Sequence, residues 1–169
     1  MENGLKAVVG SRPRTLILGT FPSRQSLAAR EYYGNRLNHF WHIIGAHVAF
    51  PPDGDYDAKL DALKKAGIAL WDVVHACNRD DSSADSKIRN PKPNDINGFL
   101  AEHPSIVKVI FNGKKAHKMF EKLIGELPEG VEFADAPSTS PAFPITDAER
   151  EHGWREALNF KKSGSPAPL

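Results

Sequence analysis

Three short apolar runs constrain this chain most: Leu16-Ile17-Leu18, Ile68-Ala69-Leu70-Trp71-Asp72-Val73-Val74 and Ile106-Val107-Lys108-Val109-Ile110-Phe111, with helix-patterned sequence between them. A strand that reads as continuous apolar sequence is buried on both faces, which marks a parallel sheet covered by helices. Parallel neighbours need crossovers, and the intervening segments supply them. Residues 38–48 place Phe40, Trp41, Ile44 and Val48 near a 3.6 period, and Tyr56–Lys65 turns Leu60 and Leu63 inward. Residues 114–124 align Ala116, Met119, Phe120 and Leu123, and Val131-Glu132-Phe133-Ala134 is the fourth strand candidate. The expected fold class is α/β, a three-layer α/β/α sandwich around a central, mainly parallel four-stranded sheet.

Local signals punctuate these elements. Gly67 closes one helix ahead of a strand, Asp95 caps a short helix that Pro104 ends, and Thr146 with Glu149 forms a capping box for a last helix through Trp154 and Leu158. Residues 78–93 are polar and hold two prolines, so they read as an ordered surface loop long enough to suggest function. The expectation is one domain over residues 1–160, followed by a flexible tail, 161–169. The loops at 19–23, 74–88, Asn112 and 138–142 then share the carboxyl edge of the sheet, where open α/β folds keep their ligands.

Overall charge demands no particular partner: charged residues make up 25% and the formal net charge is +1. One cysteine, Cys77, rules out an internal disulfide framework and fits a reducing compartment. With no secretory h-region at the start and no apolar stretch of bilayer length, the expectation is a cytoplasmic protein with no membrane association. His39 and His42 lie three apart on a predicted helix, and His75 flanks a strand end with Cys77. Neither pair grows into a four-ligand set, so no metal or cofactor is expected.

Each remaining motif has a plain reading beside a chemical one. The turn Gly19-Thr20-Phe21-Pro22-Ser23 can offer backbone N–H groups to a phosphate, or merely join strand to helix; it lacks a Walker lysine, and Ser23 stands outside any Gly-x-Ser-x-Gly elbow. Tyr33 precedes Gly34, where a ring can stand free and stack on a base for about 1–3 kcal/mol, whereas Phe40 and Trp41 read as core. Asn38 suits a helix N-cap. Ser138-Thr139-Ser140-Pro141 suits close approach to a DNA backbone, or a loop feeding the last helix. Lys114 and Lys115 start a helix against its dipole, which a nearby anion would offset.

Taken in order, these blocks resemble the uracil-DNA glycosylase superfamily, and most closely its hypoxanthine-DNA glycosylase branch, over about residues 14–158. The resemblance rests on Leu16-Ile17-Leu18-Gly19-Thr20-Phe21-Pro22-Ser23, on Tyr32-Tyr33-Gly34 with Asn38-His39-Phe40-Trp41, and on Ser138-Thr139-Ser140-Pro141-Ala142. Leu70-Trp71-Asp72-Val73-Val74, Ser83-Ala84-Asp85-Ser86-Lys87-Ile88 and Phe111-Asn112-Gly113-Lys114-Lys115-Ala116 agree in the same order. Where other branches carry a catalytic Asp or Asn in the first motif, this chain has Phe21, and the resemblance implies that Asn38 takes that role.

It further implies a monomeric, monofunctional enzyme that excises a deaminated base, hypoxanthine preferred, from DNA. Gly19, Phe21, Tyr33 and Asp72 would meet the base, and Pro22, Ser23, Ser138, Thr139, Ser140, Pro141 and Lys114 the DNA. Two other readings stay open: uracil or xanthine excision on the same scaffold, and a non-catalytic damage-binding module, suggested by Phe21 at the usual catalytic position.

Overall fold

The structure is a computed structural model that describes residues 1–51, 54–80 and 82–159. Its centre is a four-stranded parallel sheet with β2 (Thr15–Gly19) between β3 (Ile68–Asp72) and β6 (Lys108–Asn112), and β7 (Glu132–Ala136) outside β6. The apolar runs alternate between two cores, as a period of two requires. Ile17, Leu70 and Ile110 face one core, shared with α2 (Phe40–Val48), α3 (Tyr56–Lys65) and α6 (Asp147–Asn159). Leu16, Leu18, Ala69, Val109 and Phe111 face the other, with α4 (Ile96–Glu102) and α5 (Lys114–Leu123). Helices therefore cover both faces of the sheet, as the apolar runs require. The short helix α1 (Arg24–Ala29) directly follows the loop after β2.

The main departure from the sequence reading lies in residues 78–93, whose two ends are strands, with a connecting loop only between them. The chain leaves β3 at Asp72 and, after Val73, starts β4 (Val74–Arg79); β5 (Ile88–Pro93) pairs with it antiparallel, and β1 (Glu2–Asn3) pairs along its other side. Pro91 and Pro93 concealed the strand, but β5 is an edge strand, where a missing N–H is tolerated. Between the two strands the described residues are irregular up to a 3-10 turn at Asp85–Lys87. The third strand begins at Lys108 rather than Ile106, and the fourth runs on to Ala136.

Caps behave as the sequence signals indicated. Asp95 Oδ1 accepts from the Gly98 N–H at 3.0 Å, and Thr146 Oγ1 accepts from the Glu149 N–H at 3.1 Å. No helix among the described residues is long and apolar enough to cross a membrane. The tail expected at 161–169 lies outside the described residues.

Candidate active site

Gly19 and Asp72 are register partners at the carboxyl ends of β2 and β3. A Cβ on residue 19 would lie 2.6 Å from Asp72 Oδ1 and 3.3 Å from Tyr33 Oη, so only glycine lets the carboxyl and the phenol converge there. Asp72 is 5% exposed, and its Oδ2 is buried without a hydrogen-bond partner. Burial, reinforced by the nearby Asp85 carboxylate, pushes the Asp72 pKa up to about 7. Near neutrality the group is thus divided between a carboxylate, which only accepts, and an acid, which also donates. Its backbone C=O accepts from Asn94 Nδ2 at 2.8 Å, and this bond fixes the strand end.

The Tyr33 ring does not stand free, contrary to expectation. One face of it stacks on Phe40 with centroids 3.9 Å apart and planes 22° off parallel, so at most the other could meet a ligand. The backbone reaches this placement through φ +55°, a left-handed conformation uncommon for a tyrosine and of the kind that collects at functional sites. Gly34 N donates to Ser26 Oγ at 2.8 Å, tying the aromatic block to α1. Burial raises the phenol pKa far above its ordinary value, so the hydroxyl keeps its proton.

Asn112, which the sequence places at the sheet edge and in a family block without a role, is the hub of the site. Its Nδ2 donates to Tyr33 Oη at 3.1 Å and to Thr139 Oγ1 at 3.0 Å, while its Oδ1 accepts from Thr139 N–H at 3.0 Å. Thr139, 1% exposed, is a buttress: its hydroxyl is committed to Asn112 and its C=O accepts from His39 N–H at 3.0 Å. Position was the one available signal, since Asn112 ends an apolar strand at the same edge as Gly19 and Asp72. The following residue, Gly113, has φ +93°, and a Cβ there would sit 3.2 Å from Ser138 Cβ.

Asn38 precedes α2, half-buried, with its Oδ1 accepting from Phe40 N–H at 2.9 Å. His39 is the nominal cap residue, but the Asn38 side chain supplies the capping bond. An amide oxygen has two lone pairs, so one remains for a water. Ser23 caps α1 in the same manner, accepting from Ser26 N–H at 3.1 Å, which explains its place in the sequence without a ligand. Phe21 is 7% exposed and packs in a small apolar cluster with Val74 and Cys77. It backs the loop as a wall, and Pro22 beside it is buried as well.

The second loop is braced from α6. Arg150, 2% exposed, donates to Ser138 C=O at 3.2 Å and to Phe143 C=O at 2.9 Å, and Trp154 Nε1 donates to Pro137 C=O at 2.7 Å. Ser138 Oγ accepts from Ser140 N–H and Ser140 Oγ from Ala142 N–H, both at 3.2 Å, so the hydroxyls shape the turn. Pro141, Ala142 and Phe143 project beyond it, exposed, as does Lys114 at the start of α5. Among the described residues no three His, Cys, Asp or Glu side chains converge as a metal site would require.

An aromatic ring, an amide hub and a buried carboxyl thus gather at the carboxyl edge of a parallel sheet, flanked by two braced loops, the edge at which open α/β proteins place their ligands. The family model of the uracil DNA glycosylase superfamily matches residues 7–162. A Methanosarcina acetivorans protein named hypoxanthine DNA glycosylase is 36% identical over 155 residues, covering 91% of this chain and 96% of that protein. Its namesake in Methanosarcina barkeri is 31% identical over 158 residues, covering 93% and 98%. The solution NMR structure of a Methanosarcina acetivorans protein described as a candidate uracil DNA glycosylase superposes with a TM-score of 0.79 at 36% identity, over 92% of this chain and 95% of that one. The chain belongs to the uracil DNA glycosylase superfamily, and it is a DNA glycosylase.

Proposed function

We propose that this glycosylase removes hypoxanthine, the deaminated form of adenine, from DNA by hydrolysing the N-glycosidic bond and leaving an abasic site. The observation that carries the reading is the buried Asp72 carboxyl, whose Oδ2 has no hydrogen-bond partner and whose Oδ1 converges with the Tyr33 hydroxyl on Gly19. A base inside a duplex cannot reach such a place, so it must be flipped out, at a cost of a few kcal/mol that is least for a mispaired base. Hypoxanthine presents an N1–H donor beside its O6 acceptor. Ionised Asp72 accepts that N1–H, whereas adenine offers a lone pair at N1 and meets repulsion.

Bond cleavage builds positive charge on the sugar and negative charge on the departing base. Asn38 is assigned to orient the attacking water through the lone pair of Oδ1 that Phe40 leaves unused. An amide is no strong base, which suffices where the sugar cation forms before water adds. Ser138, Ser140, Pro141 and Lys114, with the backbone of Pro22 and Ser23, are assigned to flanking phosphates. The exposed Phe143 ring, 39% accessible at the tip of the second loop, is shaped to fill the space that the extruded base leaves.

The test is a labelled duplex carrying one inosine, incubated under single-turnover conditions and treated with alkali to reveal abasic sites. Cleavage faster than on matched uracil and xanthine duplexes is expected. Equal rates would widen the substrate to any base with an adjacent N–H and C=O, and intact inosine strands would refute the proposal.

A further inference from the structure

Arg79 ends β4, outside every family block, yet its side chain is completely buried against the loop that follows β2. A buried guanidinium loses its hydration, and here three groups offset that loss in part, while Nε and Nη2 have no hydrogen-bond partner. Nη1 donates to the Pro22 C=O at 2.9 Å, the guanidinium carbon lies 5.0 Å from the centre of the Phe21 ring, and Nε stands 3.4 Å from Glu2 Oε2. Glu2 comes from β1, whose pairing with β4 brings it there, and its other oxygen meets Arg24 Nη1 at 3.3 Å. Arg24, the first residue of α1, closes the frame by donating through Nη2 to the Arg79 C=O at 3.1 Å. Two guanidinium groups thus share one carboxylate, and the loop residues Phe21, Pro22 and Ser23 run between them.

We propose that Arg79 is the positioning residue of this loop, with Glu2 as its counter-ion, and that the pair sets how firmly the loop engages DNA without taking part in bond cleavage. The proposal rests on the reading that Pro22 and Ser23 lie against the DNA backbone. Arginine is suited to the task because one rigid planar group meets a carbonyl, a carboxylate and a ring face at once. Lysine keeps the charge but, as a compact ammonium, lacks the planar fork that reaches all three groups. The ends of the loop are held by other bonds, Thr20 C=O accepting from Val74 N–H at 3.0 Å and Ser23 Oγ from Ser26 N–H at 3.1 Å, whereas at its middle Pro22 has no N–H to give.

The experiment compares Arg79→Met, Arg79→Lys and Glu2→Gln with the parent protein in three measurements. These are the Kd for an inosine duplex, the excision rate at saturating enzyme, and hydrogen exchange at the amides of Thr20, Phe21, Ser23 and Arg24. Arg79→Met is expected to weaken binding about tenfold, the equivalent of one charge-assisted hydrogen bond, and to speed exchange at those amides. The saturated excision rate stays near that of the parent. Arg79→Lys recovers part of the binding and of the protection, and Glu2→Gln falls between the two.

A drop in saturated rate at unchanged Kd would overturn the proposal, as would parent-level exchange in all three variants. Should Arg79→Met fail to fold, Arg79→Lys and Glu2→Gln decide on the same criteria. Intact inosine in the parent reaction would refute the glycosylase substrate alone, because the exchange measurement reads the loop without any substrate.

Discussion

Asn112 and Thr139, 27 positions apart, clasp each other through two 3.0 Å hydrogen bonds, amide nitrogen to hydroxyl and backbone N–H to amide oxygen. That clasp joins the end of the third parallel strand, β6, to the second loop, and the third bond of Asn112 carries it to Tyr33. Asn112→Ala leaves a buried N–H and two hydroxyls without their partner. A buried polar group left so costs about 1–3 kcal/mol, and denaturant unfolding should show a loss in this range. Excision should fall together with stability, since both the stacking ring and the loop lose their tether.

Asn38→Ala should reduce single-turnover excision at least about a hundredfold, the usual penalty for misplacing a reactant, while DNA binding holds at the parent level. It also removes the capping bond to Phe40, worth about 1 kcal/mol. Asn38→Ser separates the two effects because serine caps as well as asparagine. Its stability should match the parent and its excision should not. Full activity in the serine variant would end the assignment of Asn38 to water.

Asp72 makes both stability and chemistry depend on pH. Its folded pKa of about 7 stands above the ordinary carboxyl value of 3.8, so the native state binds the proton more tightly than the unfolded chain does. Its stabilising share is therefore complete below about pH 4 and is lost as pH rises through 7, a swing of about 4 kcal/mol at most. Asp72→Asn should flatten this part of the stability curve measured by urea titration. Excision of hypoxanthine by the parent should rise through pH 7 as the carboxylate forms. In the asparagine variant it should be level over the same interval, since an amide has no proton to lose there.

Gly153 sits in α6 against the ring of Pro137, and a Cβ there would come within 2.4 Å of Pro137 Cγ. Helix propensity alone favours alanine at such a position by about 1 kcal/mol. The clash opposes it with the 1–3 kcal/mol or more typical of overpacking, and a proline ring has no rotamer by which to withdraw. Gly153→Ala should therefore lower the Tm, and it should weaken DNA binding by displacing the Ser138 loop. A raised Tm would show that α6 can shift without cost.

Phe143→Ala should leave the Tm unchanged because the ring is exposed. Its effect should appear in duplex substrates, where a vacancy in the base stack must be filled, and vanish on single-stranded inosine DNA. Equal losses on both substrates would assign Phe143 to general contact.

The central sheet was legible in sequence because continuous apolar strands and 3.6-period helices leave few ways to bury both faces. Asp95 and Thr146 caps were legible for the same local reason: a side chain and an N–H three residues away meet whatever the rest of the fold does. The β4–β5 hairpin escaped notice because proline signals a break, and only pairing beyond the segment reveals that the strand is an edge. For Tyr33 the sequence suggests a free-standing loop ring, and the Phe40 ring stacked against it comes from packing that no local pattern announces.

Sequence by itself determined the class of fold, the family blocks in their order and the residue types at the carboxyl edge. Tertiary structure alone decided what those residues have become: Asn112 a hub, Thr139 a buttress, Ser23 a cap, and Asp72 a carboxyl held near neutral pKa by burial. The physical reason is range. Caps and periodicity act over three or four residues, whereas desolvation and the satisfaction of buried polar groups depend on atoms that only the folded chain brings together.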